Sequence, residues 1–105
     1  MSLTEAQTAR TGQELRRHLE ASGLTRQQLC DWLDLAPGEL EHVLQMDGDA
    51  HPVTTWLVRD ALDQAVARRG TDAGGWSVLT CARRREARLW FRLQEVPPQP
   101  SEARP

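Results

Sequence analysis

The chain has 105 residues, of which 39% are hydrophobic and 27% charged, and its formal net charge is −2. This length suffices for one domain with a modest core and excludes a chain of several domains. No apolar run is long enough to cross a membrane, and the first residues lack the apolar stretch of a signal peptide. We therefore expect a cytoplasmic protein that makes no membrane contact.

Residues 4–22 are predicted to form the first helix. Two pairs of residues have the spacing of a capping box, Thr4 with Gln7 and Thr11 with Glu14. The helix therefore either runs unbroken or restarts near Thr11. The glycine that follows residue 22 is a common C-terminal cap, so it ends the helix there.

Residues 25–34 and 37–46 are predicted to form two short helices joined by a tight turn. Thr25 and Gln28 have the capping-box spacing, and Pro37 favours the start of the second helix. The arrangement resembles the helix-turn-helix of phage-repressor-like DNA-binding domains. Five apolar residues stand at the anchor positions of that motif: Leu29, Leu33, Leu35, Leu40 and Val43.

Two features depart from that motif. Asp34 stands where the motif usually has a glycine in a left-handed turn, and Asp adopts that conformation at some cost. The outward face of the second helix offers His42 and Gln45 but no Arg or Asn for reading bases. Residues 27–66 hold one Arg against eight acidic residues, a net charge of −7, which is the wrong sign for a phosphate backbone. Two amphipathic helices of some other small bundle are the alternative.

Residues 52–69 are predicted to form a longer helix. Its apolar residues spread over about half of its circumference, which is wider than one packing partner needs. The helix is therefore either central to the bundle or shared with a second subunit, and we expect a homodimer. Trp56 falls off the apolar stripe and extends the contact on another side. Arg59 and Asp63 have the spacing of an ordinary surface pair.

Residues 77–93 are predicted to form the last helix, with Thr80 as a later alternative start. Apolar residues, among them Leu89 and Trp90, fall on one side, which we expect to face the core. Four arginines fall within about 100° on the other side. This arginine stripe consists of Arg84, Arg85, Arg88 and Arg92. Three interpretations of this stripe are open. It binds phosphates, it binds an acidic patch such as residues 31–63 of this protein, or it is a solvated helix face.

The sequence predicts one helical domain over residues 1–95 and a disordered, proline-rich tail over residues 96–105. Cys30 and Cys81 have no ligand spacing with each other or with any of the three histidines, so we expect no metal site. No cofactor is expected either. We expect no enzyme, because the sequence shows no nucleophile–base set.

A whole-chain pattern extends over residues 1–93. It consists of Met1-Ser2-Leu3-Thr4, Arg10-Thr11, Glu14-Leu15, Ser22-Gly23-Leu24, Pro37 with Leu40 and Val43-Leu44, Pro52-Val53, Trp56-Leu57-Val58-Arg59-Asp60, Val78-Leu79-Thr80 and Trp90-Phe91. In this pattern the chain resembles a small bacterial family catalogued as domain of unknown function 2316. The resemblance implies a compact helical bacterial protein with a repressor-like core. It implies no catalytic residue.

The fold class that these observations predict is all-α. We expect a compact bundle of about five helices with a repressor-like helix-turn-helix at about residues 25–46. One functional hypothesis is a DNA-binding transcriptional regulator that acts as a dimer on double-stranded DNA. Its DNA-binding residues would be Arg26, Gln27, His42 and Gln45 near the groove and Arg84, Arg85, Arg88 and Arg92 on phosphates.

The alternative hypothesis is a protein–protein interaction module in which the helix-turn-helix has lost its DNA contacts. The broad apolar face of residues 52–69, the four Trp residues and the complementary acidic and basic regions favour a protein partner.

Overall fold

The computed structural model describes residues 3–47 and 49–97. These residues form five helices and no strand, which confirms the predicted all-α class. The helices are α1 (Glu5–Ser22), α2 (Arg26–Leu33), α3 (Pro37–Gln45), α4 (Pro52–Arg69) and α5 (Cys81–Ala87). Of the predicted tail, residues 96 and 97 are described: Val96 packs against the core and the Pro97 carbonyl accepts from the Trp32 indole N–H at 2.8 Å. Residues 98–105 lie outside the described residues, so their disorder stays a prediction. No described helix combines the length and the apolar character that crossing a membrane requires.

Capping chemistry explains where the first two helices begin. Thr4 and Thr25 each accept a hydrogen bond from the backbone N–H three residues on, and Gln7 and Gln28 reach back to the cap N–H. Both helices therefore start with a complete capping box. The second candidate start is not used, because the Thr11 hydroxyl donates to the Gln7 carbonyl within the helix, at 2.8 Å.

The two predicted short helices are present with the turn between them. α2 ends at Asp34, whose φ of 56° is left-handed, and Pro37 is the first residue of α3. Four of the five predicted anchor residues are buried and Leu35 is half-buried. The two helices and their turn are thus confirmed, whereas their equivalence to a repressor helix-turn-helix stays a prediction.

α4 lies at the centre of the core and packs against both α1 and α3. Its apolar residues Leu57, Val58, Ala61 and Leu62 are buried with the leucines of α1, α2 and α3. The wide apolar face that suggested a second subunit is therefore covered within one chain. The homodimer stays a prediction, but the apolar face of α4 no longer supports it.

The last helix is shorter than predicted. It begins after Thr80, whose hydroxyl accepts from the Arg83 N–H, and it ends at Ala87. The Ala87 carbonyl then accepts from the Trp90 and Phe91 N–H groups in a turn. Trp56, Leu79 and Ala87 already close a second small cluster there. Leu89 and Trp90 consequently do not face the core as predicted and are 81% and 72% exposed.

Candidate functional site

The α2–α3 surface comprises the exposed and half-exposed side chains of residues 26–47, and it holds the four candidates for base contacts. The Nε atom of Arg26 lies 2.5 Å from Oε1 of Glu41, so this ion pair joins the start of α2 to α3. The Gln27 side-chain amide donates to Oδ1 of Asp31, one turn further along α2, at 2.9 Å. Both candidates are thus exposed, but each is bonded to a carboxylate of its own surface.

His42 is held in the same way. Its Nδ1 atom donates to Oδ2 of Asp47 at 2.8 Å. This hydrogen bond raises the pKa of His42 above its ordinary value. The same bond lowers the pKa of Asp47, and the backbone N–H of Asp49 lowers it further. Gln45 lies exposed at the end of α3.

The α2–α3 surface is therefore strongly acidic. Residues 26–49 contain a single arginine, Arg26, and its charge is balanced by Glu41. The carboxylates of this region lie at the surface, exposed or half-exposed. They are Asp31, Asp34, Glu39, Glu41, Asp47 and Asp49. A phosphate backbone approaching this surface meets like charge instead of the cations that would bind it.

One group of three side chains offers ligand atoms for a metal ion in the part of the chain that the structure describes. The ligand atoms of His42, Asp47 and Asp49 all lie within 4.8 Å of one another. The group is at the surface, and Asp47 already accepts from the other two residues. We therefore describe it as an ion pair within a turn, and the absence of a metal site stays a prediction.

The arginine stripe does not form one helix face. Arg84 and Arg85 lie on α5, Arg88 caps its end, and Arg92 follows the turn. Arg85, Arg88 and Arg92 are exposed. The Nε atom of Arg84 instead lies 2.9 Å from Oδ2 of Asp60. Of the three interpretations, the contact with the acidic residues 31–63 of the same chain is thus observed for Arg84.

A buried ion-pair network on α4 was missed by the sequence analysis. Arg59 is buried and does not pair with Asp63 at the surface, so that prediction is wrong. Its Nε atom donates to the Leu79 carbonyl at 3.0 Å, and its Nη1 atom donates to Asp60. Asp63 accepts from the Trp76 indole N–H at 3.1 Å. The signal was present in the sequence, because Arg59-Asp60 interrupts an otherwise apolar run from Trp56 to Leu62.

A second set of contacts joins Trp76 and Ser77 to α1. The buried carboxylate of Glu14 accepts from the backbone N–H of Ser77 at 3.0 Å and from its hydroxyl at 2.7 Å. The ring of His18 stacks on Trp76, with centroids 3.7 Å apart. Among the described residues, every buried side-chain polar atom has a hydrogen-bond partner. These groups therefore join elements of the fold to one another.

A cavity of about 160 Å³ opens between the start of α4 and the turn after α5, and we call it the C-terminal pocket. Its lining is mainly apolar and includes Met46, Trp56, Trp90 and Phe91. Arg83 supplies the one charged side chain among the described lining residues. This pocket was not predicted from the sequence, because the predicted last helix continued through residues 88–93, where the structure has a turn.

Comparison with known proteins identifies a family for this chain but no similar curated protein or solved structure. No match was found among curated proteins or among solved structures. The model of one family, described as "Uncharacterized protein conserved in bacteria (DUF2316)", matches residues 1–92. The match covers most of the 105 residues and includes all five helices. The chain therefore belongs to this conserved bacterial family, DUF2316.

Proposed function

We propose that the protein is a protein-interaction module whose α2–α3 surface binds a basic segment of a partner protein. It acts by binding and not by catalysis. One observation carries this proposal: Arg26, Gln27 and His42 are each bonded to a carboxylate of that surface. The side chains that would read bases are thereby held by acidic neighbours.

The charge of the surface determines the class of partner. The cationic groups of Arg26 and protonated His42 are matched by Glu41 and Asp47, so the remaining carboxylates set the field around the surface. Such a field steers basic segments toward the protein and repels nucleic acid. Because these groups are solvated, added salt weakens the attraction.

Isothermal titration with an arginine-rich peptide, at low and at physiological salt, tests this proposal. We expect saturable binding that Asp31→Asn and Glu41→Gln each weaken. Glu20→Gln is the matched control, because Glu20 is exposed, as Asp31 is, but lies on α1. Equal weakening by all three substitutions would show unspecific attraction and overturn the proposal. Absence of binding at low salt would overturn it as well.

A DNA-binding transcriptional regulator is the second candidate. It is favoured by the two-helix unit with its buried anchors and by the exposed Arg85, Arg88 and Arg92. Fluorescence anisotropy with mixed genomic duplex fragments tests it. Three phosphate contacts give a slope of log K against log salt of about −2.7. Changing all three arginines to alanine must abolish this slope, and light scattering must show the dimer that two half-sites require.

A further inference from the structure

We propose that the C-terminal pocket binds a small carboxylate with a single aromatic ring. The proposal concerns a surface other than the acidic one and does not depend on the function proposed above. The volume of about 160 Å³ suits one ring. An engineered apolar cavity of about 150 Å³ in another protein takes up benzene, so this is the size range for a six-membered ring.

The lining favours an aromatic ligand. Trp56 is buried and forms part of the lining, whereas Trp90 and Phe91 are 72% and 40% exposed. Aromatic side chains attract another ring through stacked or edge-to-face contacts in addition to area burial. A ring bound between Trp56 and Trp90 would also cover apolar surface that the fold leaves in water.

One cation selects the charge of the ligand. Arg83 is half-buried at the pocket, and no described carboxylate pairs with it. Its neighbour Arg84, by contrast, is paired with Asp60. No acidic residue is among the described lining residues of the pocket. A guanidinium beside an apolar cavity binds a carboxylate through charge-assisted, often bidentate hydrogen bonds.

The pocket also reaches the end of α3. Met46, which lines the pocket, is the C-terminal cap of α3 and has a φ of 49°. A ligand in the pocket therefore lies against the C-terminal cap of α3. Its binding should shift backbone NMR signals at Met46 as well as on α5.

The experiment uses the full chain and three probes, phenylacetate, phenylacetamide and acetate, measured by calorimetry and by ¹H–¹⁵N NMR. Phenylacetate should bind, phenylacetamide should bind about tenfold more weakly because it lacks the charge, and acetate should not bind. Arg83→Gln should lower the affinity for phenylacetate about tenfold and leave that for phenylacetamide unchanged. Arg85→Gln is the matched control, since Arg85 lies on the same helix but does not line the pocket.

A second variant tests the cavity itself. Ala87→Leu places a larger side chain at the pocket lining and should abolish binding of both aromatic probes. Circular dichroism shows whether this variant folds. If it does not fold, the affinities of Arg83→Gln and Arg85→Gln for phenylacetate test the proposal by themselves. Two results would overturn the proposal. One is that phenylacetate at about 10 mM does not bind. The other is that Arg83→Gln and Arg85→Gln lower the affinity for phenylacetate equally.

Discussion

The guanidinium of Arg84 lies 2.9 Å from the carboxylate of Asp60 and joins α5 to α4. On its other oxygen the same carboxylate accepts from Arg59 at 3.1 Å. The Asp60 side chain is only 10% exposed, whereas that of Arg84 is 29% exposed. Asp60 is therefore the buried anion between two cations, and the cation that depends on it most is Arg59.

The first prediction concerns this carboxylate. Asp60→Asn should lower the free energy of unfolding by about 3 kcal/mol, because it leaves the buried Arg59 without a counter-charge. Arg84→Gln should cost less than about 1 kcal/mol, since Arg84 is partly solvated. Urea unfolding of both variants measures the difference. Equal costs would show that Asp60 does not serve mainly to balance Arg59.

The second prediction concerns the contacts of Trp76 and Ser77 with α1. Glu14→Ala should cost about 2 kcal/mol, because it removes a charged acceptor from the Ser77 N–H and hydroxyl. It should also speed amide hydrogen exchange at Ser77, where the bond is lost. Glu20→Ala, at an exposed site on the same helix, should leave both quantities nearly unchanged. Slow exchange at Ser77 in Glu14→Ala would contradict this account.

Local signals in the sequence were sufficient to predict the starts of the first four helices. The capping boxes at Thr4 and Thr25, and the prolines at positions 37 and 52, act within one turn of the chain. The end of α5 was not predictable in this way. Ala87, the last residue of α5, packs against Trp56 and Leu79, which come from elsewhere in the chain, and a pattern within residues 77–93 does not indicate such a contact.

In the candidate site, too, contacts between different elements could not be predicted from local patterns in the sequence. Arg26 was proposed as a DNA contact from its place in α2, but it is paired with Glu41, which lies on α3. The i,i+4 rule assigned Arg59 to Asp63 because it considers one helix alone. The actual partners of Arg59 include the Leu79 carbonyl, which lies 20 residues away in sequence. Contacts of this range follow only from the packed structure.

The third prediction tests the turn between α2 and α3. Asp34 has a left-handed backbone, which costs a residue with a Cβ atom more than it costs glycine. Asp34→Gly should therefore raise the free energy of unfolding by about 0.5 kcal/mol. Asp34→Ala should lower it, because alanine lacks the polar side chain that helps Asp adopt this conformation. Thermal and urea unfolding should both show that Asp34→Gly raises the free energy of unfolding and that Asp34→Ala lowers it. A loss of stability in Asp34→Gly would contradict the argument.

The fourth prediction concerns the two cysteines. Burial raises the pKa of the Cys30 thiol, and the charges of Asp31, Glu41 and Glu39 raise it further. Because the thiolate is the reactive form, Cys30 should resist alkylation in the folded protein. The exposed Cys81 should react first. Mass spectrometry after iodoacetamide treatment, with Cys81→Ser as the control, should show almost no label on folded Cys30 and full label in urea.

The last prediction is the pH dependence of the His42–Asp47 pair. The hydrogen bond raises the pKa of His42 above 6.5, so its contribution to stability is complete below 6.5 and is lost as the pH rises through the raised value. The pKa of Asp47 is lowered below 3.8, so its contribution is complete above 3.8 and is lost as the pH falls through the lowered value. The pair therefore contributes fully between these two ordinary values. NMR titration should show the pKa of His42 falling in Asp47→Asn, and an unchanged pKa would exclude Asp47 as its cause.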